Sequence, residues 1–67
     1  MNGVDLAVER AGGRRAFAEA LGVTVQAASQ WAIRGWVPPG RAMQIERLYN
    51  VDRAYLVKPD LVPLVSS

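Results

Sequence analysis

Apolar residues recur along the first fifty positions at the spacing of a helix rather than a strand. Val4, Ala7, Val8 and Ala11 fall at i, i+3, i+4 and i+7, one stripe along a first helix. Leu6 lies off that stripe and is expected to be partly exposed. Asn2 is placed to cap this helix, with Asp5 in its first turn near the positive end of the dipole. Gly12-Gly13 ends it. A phosphate loop is excluded there, because no Lys-Ser/Thr follows and no strand precedes. A second helix is predicted from about Arg14 to Leu21, with Phe17, Ala18 and Leu21 turned inward. Gly22 supplies the positive φ that closes it. Val23 then plugs inward, and Thr24 caps a third helix from about Val25 to Arg34, stopped by Gly35. Trp36-Val37-Pro38-Pro39 reads as a stiff extended connector. Pro39 suits the first position of a fourth helix, where its missing N–H costs nothing. That helix covers about Gly40 to Tyr49, with Ala42, Ile45, Leu48 and Tyr49 as its apolar stripe and Asn50 as its end. Asp52 caps a short turn through Leu56, and Pro59 stops any further helix. Val57 with Leu61 to Val65 leaves an extended pair open, but no Asn-Gly or Asp-Gly turn announces a hairpin. The expected fold class is therefore all-α: four to five short helices with an extended C-terminal tail.

The third helix divides into two faces. Ala28 and Trp31 form an apolar side suited to packing against another helix. Trp31 is expected in the core. Gln26, Ser29 and Gln30 form an uncharged side rich in hydrogen-bonding groups. Solubility alone is usually served by Glu and Lys. An amide- and hydroxyl-bearing face is what a helix needs to touch base edges. The preceding helix and tight Gly turn complete a helix-turn-helix pattern over about residues 14–34. Ala18, four residues before the Gly, is small enough for the next helix to cross closely.

In these residues the chain resembles the Cro-like phage and prophage repressors, and especially the YdaS-like group of small helix-turn-helix proteins. The shared spacing is an Ala, Gly-Val four residues on, then an apolar residue and a Trp three apart: Ala18, Gly22, Val23, Ala28 and Trp31. The resemblance runs from about Val4 to Pro63. It includes Pro59-Asp60-Leu61-Val62-Pro63, which resembles the family's Arg-Pro-Asp-Ile-aromatic-Pro ending with Lys58 before the Pro. It implies a lambda-repressor-like helix-turn-helix bundle, and sixty-seven residues make one domain at most, residues 1–67. It also implies sequence-specific binding of double-stranded operator DNA in the major groove, as a Cro-type transcriptional repressor. By match to the family's reading positions, Val25, Gln26, Ser29 and Gln30 face the bases. Many relatives carry Gln where this chain has Val25. Gln pairs with adenine N6 and N7, Ser donates or accepts, and Val meets a thymine methyl. The alternative implied by the same resemblance is an antitoxin-like interaction module of a toxin–antitoxin pair that also binds its own promoter. The apolar Leu61-Val62-Pro63-Leu64-Val65 would then meet the partner.

Charge adds a phosphate-binding set. Net charge is only +2, but Arg14, Arg15, Arg34 and Arg41 stand against the single acid Glu19 between positions 14 and 41. Arg suits forked hydrogen bonding to phosphate, and Thr24 can donate as well. Ile33 points away from the Ala28–Trp31 face and, with Trp36 and Val37, makes a candidate patch for a weak homodimer. The other reading is that the fourth helix or the tail covers this patch.

Composition removes other classes. Sixty-seven residues without Cys or His have no disulfide staple and no usual zinc ligands. No metal or cofactor is expected, and there is no room for a small-molecule ligand domain. The acids are scattered with no paired spacing, so an enzyme is not expected. The N-terminus lacks the apolar run of a secretory signal, and no stretch approaches the roughly 20 apolar residues of a membrane span. A cytoplasmic location follows as the expectation, supported by the lack of Cys.

Overall fold

A computed structural model describes residues 2–58. The elements are α1 (Gly3–Ala11), α2 (Arg14–Leu21), α3 (Val25–Arg34), α4 (Pro39–Tyr49) and a 3-10 turn (Arg53–Tyr55). The expected extended tail, the Leu61 to Val65 pair and the Pro59 stop lie outside the described residues. Among the described residues there is no strand, so the all-helical expectation holds for them.

Most of the helix ends have a local chemical reason. Asn2 Oδ1 accepts from the Asp5 N–H at 2.8 Å while Asp5 Oδ2 accepts from the Asn2 N–H at 3.5 Å, a reciprocal capping box. At the end of α1, the Gly12 N–H donates to the Glu9 carbonyl and the Gly13 N–H to the Val8 carbonyl. The same pair of bonds closes α2, from Gly22 to Glu19 and from Val23 to Ala18, with Gly22 at φ 70°. Thr24 Oγ1 accepts from the Ala27 N–H at 3.0 Å and starts α3. Asp52 Oδ1 accepts from the Ala54 N–H and starts the 3-10 turn.

The core forms where α2, α3 and α4 meet. Phe17 is fully buried, edge-on to Trp31 with centroids 6.5 Å apart and tilted against Tyr49 at 5.9 Å. Small residues from every helix (Ala7, Ala18, Ala28, Ala32 and Ala42) are buried in the same cluster and let the helices approach. Ile45, Val51, Leu56 and Val57 complete it from the C-terminal side.

Two apolar expectations are corrected. Leu48 is 51% exposed rather than part of the α4 stripe. At about 100° per residue it lies well around the helix from Ala42 and Tyr49, beyond the edge of the buried arc. Val37 is fully buried, and its N–H donates to the Leu56 carbonyl, so it belongs to the core and not to an exposed patch. The connector that carries it lies against the C-terminal turn.

Three side chains tie helix ends together over long sequence separations. Asn2 Nδ2 donates to the Ala32 carbonyl at 3.3 Å, joining the start of α1 to the last turn of α3. Arg10 Nη1 donates to the Tyr49 and Asn50 carbonyls at 2.8 and 3.0 Å, at the end of α4. Arg41 Nη1 donates to the Leu21 carbonyl at 3.0 Å, at the end of α2, and to Gln44 Oε1 at 2.9 Å. Both arginines place a cation at a helix C-terminus, where the dipole favours it.

Two stability measurements check this packing. Trp31→Ala should lower stability by about 3–5 kcal/mol, the usual cost of a large buried ring. A thermal melt that keeps the wild-type midpoint would contradict the core role of Trp31. Gly3→Ala should also destabilise, although Ala normally improves a helix position by about 1 kcal/mol over Gly. A Cβ at Gly3 would overlap the Tyr55 carbonyl and approach Tyr55 Cβ to 2.9 Å. The expected net loss is about 1–3 kcal/mol, as for other overpacked sites. A raised melting point would show that the 3-10 turn yields without cost.

Candidate nucleic-acid interface

The helix-turn-helix is positioned by the Gly22 turn. That residue's left-handed backbone and the two bonds behind it turn the chain sharply. Val23 packs partly inward, and Thr24 starts α3 at once. Ala28, Trp31 and Ala32 are buried on one side of α3. Its other side is open. Gln26 and Gln30 are exposed, Val25 is 45% exposed at the first turn, and Ser29 is half-buried at the edge. Ile33 continues the same outward face, seven residues beyond Gln26, and is 73% exposed.

The arginines expected to act alike have different surroundings. Arg15 pairs with Glu19 one turn along α2, 3.6 Å apart, with both side chains largely in solvent. Such a pair contributes little to stability and gives way readily to another anion. Arg14 reaches across to α3, where its Nη1 donates to Ser29 Oγ at 3.4 Å. Arg34 lies over the Trp36 ring, with Cζ 4.2 Å from the centroid. Arg41 is half-buried and engaged with the Leu21 carbonyl, so its visible role is to hold the end of α2. Thr24 is exposed; its hydroxyl oxygen accepts as the cap of α3, which still leaves its O–H as a donor.

Of the Ile33, Trp36 and Val37 patch, Ile33 remains open and Val37 is in the core. Trp36 is half-buried. Lys58 Nζ lies 5.0 Å from its ring, so the ring has a cation from each side of the chain, Arg34 and Lys58. Part of the patch is thus covered by the C-terminal segment, one of the two outcomes the sequence left open.

Sequence reasoning missed the Arg14–Ser29 contact and the tethering role of Arg41. A signal for the first existed: Arg14 stands three, four and seven residues before the buried Phe17, Ala18 and Leu21, and so extends the stripe that faces α3. Arg41 had none, because its partner is 20 residues away in sequence. Among the described residues, no helix is long and apolar enough to cross a membrane.

Comparison with known proteins agrees with this geometry. No curated protein sequence matches the chain. The structure is similar to that of the Cro protein from prophage element Xfaso 1 in Xylella fastidiosa strain Ann-1. The two share 38% identity and a TM-score of 0.72, over 97% of this chain and 95% of that one. A family model described as bacterial toxin YdaS matches residues 4–63. With that match spanning the whole helix-turn-helix and the helices that support it, the chain belongs to the YdaS family, in a Cro-like fold.

Proposed function

We propose that this protein is a sequence-specific DNA-binding repressor of the Cro type, acting in the bacterial cytoplasm on operator DNA. The observation that carries the reading is the outward face of α3, where Gln26 and Gln30 stand exposed and uncharged directly after a helix-turn-helix turn. The likeness to a prophage Cro protein over nearly the whole chain supports it, and favours a binding protein over an enzyme.

In this reading α3 enters the major groove with its N-terminal residues toward the bases. Val25, Gln26, Ser29 and Gln30 read base edges. Arg15 and Arg34 contact phosphates, with Thr24 and Arg41 at the margins of the same surface. Repression follows from occupying the promoter. The protein binds as a weak homodimer, with Ile33 and the accessible part of Trp36 at the contact, on a roughly palindromic site.

A second reading is favoured by the family's description as a bacterial toxin. It makes the chain one member of a toxin–antitoxin pair for which promoter binding is secondary; the description names the toxin side of such a pair, where the sequence resemblance implies an antitoxin-like module. A gel shift with the DNA upstream of its own gene separates the two. Specific retardation by the chain alone supports the repressor, and retardation only with a co-purifying protein supports the pair.

Two measurements test the repressor in detail. Gln30→Ala should cost about 1–3 kcal/mol on the preferred site and relax one base position per half-site. Arg34→Ala should weaken all DNA by a common factor and flatten log affinity against log salt by about one unit. Titrations on specific and scrambled duplexes at several salt concentrations read both. Equal loss on scrambled DNA for Gln30→Ala would remove Gln30 from base reading. For the dimer, sedimentation should show monomer at low concentration and two copies on one site, with the α3 helices about 34 Å apart. A single copy on an unpaired half-site would rule the dimer out.

A further inference from the structure

We infer that Arg14 is a base-reading residue, acting with Ser29 as one unit that selects guanine in the major groove. The inference rests on the DNA-binding reading above and assigns Arg14 a role different from that of its neighbour Arg15.

The register of α2 decides where Arg14 points. Phe17, Ala18 and Leu21 are buried against the rest of the bundle, and Arg14 is the exposed N-terminal member of that same stripe. Helical side chains lean toward the N-terminus, so Arg14 emerges at the rim of the α2–α3 contact. There its Nη1 donates to Ser29 Oγ at 3.4 Å. Arg15, about 100° further round, turns to Glu19 instead, on the outer surface of α2. The contact at 3.4 Å is long for a hydrogen bond, so it orients the guanidinium without committing it.

The chemistry of Arg14 is one-sided. A guanidinium has five donors and no acceptor. The Ser29 hydroxyl gives one lone pair to that cation, which turns its proton elsewhere as a donor and leaves one lone pair as an acceptor. Ser29 is half-buried and short; Arg14 extends its reach. The group that reaches furthest, the guanidinium, therefore offers donors only. In the major groove guanine presents two acceptors, N7 and O6. Adenine adds an N6 donor beside its N7, and cytosine presents an N4 donor. Thymine presents a single acceptor, O4, beside its methyl group, so the forked donors of Arg14 find two acceptors side by side only on guanine. Gln26 and Gln30 carry both a donor and an acceptor, which suits adenine. The face thus reads two kinds of purine with two kinds of side chain.

The test selects the preferred duplex from random DNA with the full-length wild-type chain, then replaces each guanine singly by 7-deazaguanine, which lacks the N7 acceptor. One such replacement per half-site should weaken wild-type binding about ten-fold. Arg14→Ala should weaken the selected duplex by a similar factor, leave scrambled DNA nearly unchanged, and lose nothing further on the 7-deazaguanine duplex. Arg14→Gln should move the preference at that position from guanine to adenine. Ser29→Ala should weaken the guanine preference of the wild type but not of Arg14→Ala. Circular dichroism melts control for folding, which an exposed position should not disturb. If Arg14→Ala weakens selected and scrambled DNA equally and flattens the salt dependence by about one unit, Arg14 is a phosphate contact and the inference is overturned. If the wild type itself selects no sequence, the DNA-binding reading fails and this inference falls with it, an outcome visible before any variant is made.

Discussion

Phe17 is the point at which α2, α3 and α4 converge. Its ring has no solvent exposure, stands edge-on to Trp31 from α3 and lies against Tyr49 from α4. A chain of this length buries only about 60% of the surface it exposes when unfolded. One aromatic cluster must therefore do most of the cohesion, and the helices must close tightly around it. The buried alanines meet that need, because each shortens an approach that a larger side chain would prevent. Ala18 is one of them, buried on α2 four residues before the Gly22 turn that leads into α3. The core and the surface are thus one problem, since Trp31, which meets Phe17, lies on the same helix as the outward face.

The helix ends are where the remaining polar groups would be left over. Among the described residues, no buried side-chain nitrogen or oxygen lacks a hydrogen-bond partner. Arg10 and Arg41 each bring charge-assisted donors to carbonyls at the end of a helix that is not their own. Asn2 serves two helices at once, accepting from the start of α1 and donating to the last turn of α3. These contacts span sequence separations that a short bundle otherwise covers with few bonds. They hold the relative directions of the helices more than they add to burial. A chain with a small core benefits from such fixing, since packing alone specifies orientation weakly.

The helix boundaries were legible in the amino-acid sequence because they are local. Asn2, Gly22, Thr24, Pro39 and Asn50 each act within one turn of where they stand. Trp31 was legible as core because its periodicity with Ala28 is also local. What escaped was long-range or depended on angle. Leu48 looked like part of a stripe until its position around the helix was fixed by the neighbours of Ala42 and Ile45. Val37 looked exposed because nothing nearby in sequence covers it; Leu56 does, from the far side of α4. Arg14 and Arg15 looked equivalent as adjacent charges, yet one helical step sends them to different partners. For the outward face of α3, the sequence supplied the list of side chains, while the half-burial of Ser29 required the packed bundle.

The division of α3 into two faces has a consequence for how descendants of this chain can diverge. Ala28, Trp31 and Ala32 carry the packing, while Gln26 and Gln30 stand in solvent and Val25 is only partly covered. Substitutions on the open side therefore escape the purge that folding imposes on the buried side. Lineages can keep one scaffold and drift apart in what they recognise, one side chain at a time. Ser29 is the exception, wedged at the edge and tied to Arg14. Change there is felt on two helices at once, because substituting either residue removes a contact between α2 and α3.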